Sequence, residues 1–215
     1  MTDIDSDLFG YIIGHTTPED KVLAELNRET FAKILYPRMI SGHYQGRFLE
    51  FISRMVQPDC ILEIGTFTGY SAICLAKGLR PGGMLHTIEC NDEIVDFAQN
   101  YINKSGLGDK IQIHTGDALE VIPALNMQFD MVFIDAEKKY YPDYFRLVAE
   151  KLKTGGMLLA DNVLWNGKVI GNEPKPDDET NNILMFNKLV HEDNRFENMI
   201  IPIRDGIMLA LKVCS

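Results

Sequence analysis

Cys60-Ile61-Leu62-Glu63-Ile64-Gly65-Thr66-Phe67-Thr68-Gly69-Tyr70-Ser71 reads as a short apolar strand carrying an acid near its end, then a glycine turn that opens a helix. Strand, turn and helix in that order are the first half of a βαβ unit. The chain then repeats the alternation. Met84 to Glu89, Lys110 to His114, Phe129 to Ile134 and Met157 to Ala160 are β-rich, while Ile94 to Ile102 and Tyr144 to Leu152 carry the helical period. Such an order implies parallel strands joined by right-handed crossovers. The end differs, because Asn198 to Ile203 and Ile207 to Val213 are separated only by Arg204-Asp205-Gly206. That spacing predicts a hairpin and an antiparallel last strand.

Upstream of the first strand the pattern is helical. Val22, Leu23, Leu26, Phe31, Ile34 and Leu35 follow Pro18-Glu19-Asp20 on a helical period, with Thr17 as the expected cap. A glycine-punctuated link, Ser41-Gly42-His43 and then Gly46, leads to a second amphipathic helix bearing Phe48, Leu49, Phe51, Ile52 and Met55. The expected organisation is one domain over residues 1–215, with N-terminal helices in residues 1–57 covering the site and an α/β core in residues 58–215.

The 215 residues are 46% hydrophobic and 24% charged, the balance of a chain able to bury a core. With 21 Lys and Arg against 31 Asp and Glu, the net charge is -10. A polyanion would be repelled, and no basic patch offsets this, so no nucleic-acid partner is expected. The acidic start, Met1-Thr2-Asp3-Ile4-Asp5-Ser6-Asp7, has neither the basic start nor the apolar run of a signal peptide. No apolar run has membrane-spanning length, so a cytoplasmic location without a membrane partner is the expectation. Cys60, Cys74, Cys90 and Cys214 are widely spaced and read as structural thiols, three of them in apolar segments. The five histidines are scattered and read as structural or surface residues.

A dinucleotide fingerprint starting at Gly65 needs glycines at 67 and 70, which are Phe67 and Tyr70. Close approach of a pyrophosphate is therefore disfavoured, and an oxidoreductase with it. What remains is an acid at the first strand end, a glycine turn, Glu89 closing the second strand and Gly116-Asp117-Ala118 after the third. This suits a cationic nucleoside: Glu89 can accept from both ribose hydroxyls, and Asp117 from an exocyclic adenine amine. A solvated surface acid is the alternative at each position taken singly.

These strings resemble class I methyltransferases, and their wording is similar to the caffeoyl-CoA and catechol O-methyltransferase family, from Thr17-Pro18-Glu19 to Asp205-Gly206. The resemblance implies a Rossmann-like fold with a seven-stranded, mostly parallel sheet, an antiparallel last strand and helices on both faces. It implies that Ser41, Glu63, Gly65, Thr66, Ser71, Glu89, Asp117, Ala118 and Asp135 surround S-adenosylmethionine, and that the protein is a homodimer.

The fourth and fifth strands end in Asp135-Ala136-Glu137-Lys138 and Asp161-Asn162. Neighbouring strands lie about 4.8 Å apart, so Asp135, Asp161 and Asn162 can converge on one ion. Oxygen-only donors suit Mg²⁺, Mn²⁺ or Ca²⁺ rather than zinc. From spacing alone, helix capping by these acids stays open. The resemblance implies the metal, since the three residues match the family's triad, and it implies Lys138 as the base and Asn166 near the substrate. Relatives resembling plant caffeoyl-CoA enzymes tend to carry Asp where this chain has Glu137. In such chemistry a phenol of pKa about 10 loses its proton before attacking the sulfonium methyl, and Lys138 can take it if its own value of about 10.4 falls. The expected activity is metal-dependent methyl transfer to one hydroxyl of a small catechol-like molecule, with CoA esters among the candidates. A methyltransferase for RNA or protein is the main alternative, disfavoured by the charge. A module that binds the cofactor without catalysis is disfavoured by the intact Asp135, Lys138, Asp161 and Asn162 set. The irregular stretch Asn166 to Asp178 reads as a loop over the site.

Overall fold

The computed structural model describes residues 6–171 and 176–214. Three helices come first: α1 (Ser6–Gly14), α2 (Lys21–Lys33) and α3 (Gly42–Val56). The alternating part follows as β1 (Cys60–Ile64), α4 (Tyr70–Ala76), β2 (Met84–Glu89), α5 (Val95–Lys104), β3 (Ile111–Thr115), α6 (Ala118–Ala124), β4 (Phe129–Ile134), α7 (Tyr141–Lys151) and β5 (Leu152–Ala160). The chain closes with α8 (Asp178–Glu192), β6 (Phe196–Ile201) and β7 (Ile207–Lys212).

The strands form a seven-stranded sheet in the order β3-β2-β1-β4-β5-β7-β6. Pairings among β1 to β5 are parallel, and β7 lies antiparallel between β5 and β6. The expected mostly parallel sheet with an antiparallel last strand is therefore present. Alternation along each strand divides the core in two. Leu62, Ile64, Val132 and Leu158 point to the face covered by α6, α7 and α8, where Ile122, Phe145, Val148 and Phe186 meet them. Ile61, Leu85, Met131 and Phe133 point to the opposite face, against Leu49, Ile73, Leu75 and Ile102 of α3, α4 and α5. Each such fully buried side chain contributes about 1.5–3 kcal/mol from water exclusion.

Several boundaries differ from the sequence reading for local reasons. The cap of α2 is Asp20, not Thr17, because Asp20 has extended backbone and its Oδ1 accepts the Val22 N–H at 2.8 Å. The helix α3 starts inside the expected glycine link. Gly46 is an interior helical residue there because a Cβ would lie 2.5 Å from Cε1 of Tyr70 and 2.9 Å from Sγ of Cys74, so its bareness lets α3 approach α4. The stretch Asn166 to Asp178 is only partly loop. A 3-10 turn spans Trp165–Ile170, residues 172–175 lie outside the described residues, and Asp178 is already helical. Asp177 caps α8 by accepting the Thr180 N–H at 2.7 Å. Of the four thiols only Cys74 is buried, and Cys90 and Cys214 are exposed. No helix is long and apolar enough to cross a membrane among the described residues.

Candidate active site

The chain steps outward from β1 to β2 and β3, then returns to the other side of β1 as β4. Open α/β sheets take ligands beyond the carboxyl ends of the strands at such a reversal. A cavity of about 1590 Å³ lies there. Pockets for one small ligand are roughly 300–1,000 Å³, so this one has room for two molecules side by side.

Backbone hydrogen bonds align the strand ends along the cavity. Asp135 N–H donates to Ile64 O and Asp161 N–H to Ile134 O, both at 2.9 Å, while Gly116 N–H donates to Glu89 O at 2.8 Å. Gly65 permits the closest approach. Its φ is +99°, and a Cβ would stand 2.0 Å from the Asp135 carbonyl oxygen, so any side chain would drive the turn off the end of β4.

Of the residues expected around a nucleoside cofactor, Ser41, Gly65, Thr66, Ser71, Glu89, Asp117, Ala118 and Asp135 line the cavity. Glu89 accepts the Phe67 N–H at 2.7 Å through Oε2 and the Asn91 N–H at 2.9 Å through Oε1. A carboxylate has about four acceptor positions; the Cys90 thiol, 3.9 Å from Oε1, is a third and weak donor here, so one position stays open on Oε2. Asp117 caps α6, with Oδ1 accepting the Leu119 N–H at 2.8 Å. One oxygen of the acid proposed for adenine is thus already used by a helix.

Glu63 does not reach the cavity wall. It is fully buried beneath the turn, where Oε2 accepts from the Thr87 hydroxyl at 2.6 Å and Oε1 has no hydrogen-bond partner. The Thr66 hydroxyl lies 2.6 Å from that of Thr87, continuing the hydrogen-bonded chain from Glu63 toward the turn. Burial pushes the Glu63 carboxyl up to about 8 against the pull of the nearby Ser71 and Thr87 hydroxyls, and Asp135 and Glu89 add to the rise.

Asp135, Lys138, Asp161, Asn162 and Asn166 share the other side of the cavity. Lys138 Nζ donates to Asp135 Oδ1 at 3.1 Å and to the Tyr141 hydroxyl at 2.8 Å, and that hydroxyl donates to the Asp161 carbonyl at 3.0 Å. Tyr141 stays protonated, since complete burial holds its phenol well above the usual range. Asp161 is nearly buried, and burial first, then the charge of Asp135, raises its carboxyl. The neighbouring Lys139 instead pairs with Glu137 at 3.1 Å on the surface. No group of three or more His, Cys, Asp or Glu side chains fit to hold a metal occurs among the described residues, so a metal here would rest on two carboxylates and the Asn162 amide.

Backbone strain collects around the same cavity. Among the described residues seven non-glycine residues have positive φ, and six of them, Tyr36, Phe67, Asn162, Trp165, Asn166 and Arg204, line it. Such conformations cost roughly 1–3 kcal/mol each and persist where the surroundings enforce them. Gln45, Tyr141 and Arg204 were not singled out by sequence. Each makes its contact here over a fold-level distance or from inside a helix pattern, and no local motif marks them.

Residues 14–213 match the family model described as O-methyltransferase. The chain belongs to the O-methyltransferase family. Among related members, catechol O-methyltransferase of Niastella koreensis is 33% identical, covering 96% of this chain and 93% of its own. Caffeoyl-CoA O-methyltransferase 1 of Eucalyptus globulus is 32% identical over 91% of this chain and 83% of its own. The O-methyltransferase TomG from Streptomyces achromogenes, solved in complex with SAM, superposes with a TM-score of 0.90 at 29% identity, covering 97% of this chain and 96% of TomG. The Bacillus cereus O-methyltransferase, solved with SAH, gives 0.88 at 30% identity over 94% of this chain and 96% of its own. The fold of these family members is therefore that of this chain.

Proposed function

We propose that the protein transfers one methyl group from S-adenosylmethionine to one of two adjacent hydroxyls on the aromatic ring of a small catechol-like molecule, with a divalent cation held by Asp135, Asp161 and Asn162. The observation that carries this reading is the meeting of Lys138, Asp135 and Asp161 on one side of a cavity whose other side bears Glu89, Thr66 and Ser71. One half takes the cationic nucleoside and the other the acceptor.

The residues fit both groups. Glu89 keeps an open acceptor position on Oε2 for one ribose hydroxyl, and the weak thiol contact of Cys90 on Oε1 can give way to the second. Asp135 and Asp161 are two crowded carboxylates with a single ammonium between them and the buried Tyr141, so the corner is short of positive charge. Oxygen donors of this kind suit Mg²⁺, Mn²⁺ or Ca²⁺. When bound, such a cation lowers the proton affinity of a phenol and orients a diol, and S-adenosylmethionine supplies an electrophilic methyl on sulfur. The chain itself does the rest. Lys138, held by Asp135 and Tyr141, is the group placed to take the phenolic proton at Nζ, with one proton of its ammonium passing to solvent beforehand. Trp165 and Asn166 border the acceptor side. Orientation of the attacking oxygen is worth several kcal/mol of barrier, about the value of holding reactants in attack geometry.

The test compares kcat/KM for a catechol, its mono-methyl ether and the matching monophenol, with labelled cofactor, at saturating Mg²⁺ and in chelator. Turnover of the catechol with Mg²⁺ and little of the other two is expected. Equal values for all three, or full activity in chelator, overturns the diol and metal reading.

A further inference from the structure

Gln45 is a glutamine on α3 with no exposed surface, and both ends of its amide are engaged. Its Nε2 donates to Asp161 Oδ2 at 2.7 Å, across 116 residues of sequence. Its Oε1 accepts from Arg204 Nη1 at 3.2 Å. A guanidinium can only donate and an ionised carboxylate can only accept, so one orientation of the amide satisfies both neighbours. The other would set oxygen against oxygen and donor against donor.

Arg204 is itself fixed. It sits in the turn between β6 and β7 with a left-handed φ of 49°, and the two N–H groups of its Nη1 are shared among Gln45 Oε1 and the carbonyls of Ile40 at 3.0 Å and Ser41 at 2.7 Å. The second oxygen of Asp161 accepts the Asn162 N–H at 2.7 Å. One oxygen of this carboxylate is thus aimed by its own chain, and the other by a relay that begins in the last hairpin.

We propose that Gln45 is a positioning residue for the Asp161 carboxylate, and that Arg204 acts through Gln45 by dictating which end of the amide faces it. The inference rests on the reading of Asp161 as a cation ligand. Groups that hydrogen-bond to metal-ligating carboxylates typically govern metal affinity by 10–100-fold. Without Gln45 the carboxylate loses the contact that fixes its rotamer, while the cofactor half of the cavity is untouched.

The experiment titrates the full chain with Mn²⁺ alone, read by electron paramagnetic resonance, and with S-adenosylmethionine alone, read by calorimetry. Gln45→Leu should raise the Mn²⁺ dissociation constant by roughly 10–100-fold and leave that for S-adenosylmethionine within about twofold. Arg204→Met should raise the Mn²⁺ constant less. In the double variant the loss should match Gln45→Leu alone, because coupled residues do not add. Arg204→Lys replaces Arg204→Met if the latter does not fold. Unchanged Mn²⁺ affinity in Gln45→Leu, equal losses for both ligands, or losses that multiply in the double variant each overturn the relay. If the unaltered protein binds no Mn²⁺, the cation reading itself fails and takes this inference with it, an outcome distinct from the other three.

Discussion

Replacing Glu63 by Gln should change how the stability of the cofactor-free protein depends on pH. Glu63 is fully buried beside the Thr87 and Ser71 hydroxyls, and burial pushes its carboxyl from 4.5 to about 8. Between those values the folded chain holds a proton that the unfolded chain releases. The resulting stabilisation is fully present below the unfolded value and is lost as pH rises toward the folded one. At about 1.36 kcal/mol per unit the ceiling is about 4–5 kcal/mol, and local relaxation with water entry brings it to the order of 3 kcal/mol. Glutamine keeps the shape, still accepts from Thr87 and cannot titrate. Urea unfolding from about pH 5 to about pH 8 should show the parent protein losing stability, relative to Glu63→Gln, by on the order of 3 kcal/mol. Parallel stability curves would refute the reasoning, because they would mean that Glu63 titrates alike in both states.

Two other substitutions probe the two halves of the cavity. Glu89→Ala removes the acceptor for the Phe67 and Asn91 N–H groups as well as for the ribose, so S-adenosylmethionine binding should weaken by about 1–3 kcal/mol in calorimetry; unchanged affinity would remove Glu89 from the site. Lys138→Ala should lower kcat by roughly 10² or more with cofactor affinity nearly intact, whereas Lys139→Ala, whose ammonium pairs with exposed Glu137, should leave kcat close to the parent; equal losses in steady-state assays would show that neither lysine has the assigned role.

The sheet was legible because its signals are local. Cys60–Ile64, Met84–Glu89 and Phe129–Ile134 are bounded by turn residues and rich in β-branched and aromatic side chains, and their limits coincide with the expected ones. Helix α8 escaped because its turn-rich approach masked a buried stripe of Ile183, Phe186 and Val190. In the site, Glu89, Asp135 and Asp161 could be named since topology sends every parallel strand end to one edge. Glu63 shows the limit of that rule: in β1 it precedes the end by one residue, and the alternation of the strand turns it under the turn instead of into the cavity. Gln45 and Arg204 met no rule, as their pairing joins the start of α3 to the last hairpin across 159 residues.

The left-handed residues around the cavity also bear on how this protein can be improved. Asn166→Gly or Asn162→Gly would relieve conformational strain, and a stability screen would readily select such changes. Yet Asn162 lines the cavity, and glycine there keeps the backbone angle while discarding the side chain proposed as a cation ligand. Selection for heat resistance and selection for turnover should therefore diverge first along this rim, with the apolar side chains that pack the helices onto both sides of the sheet, away from Gln45 and Tyr141, the places where stabilising changes cost turnover least.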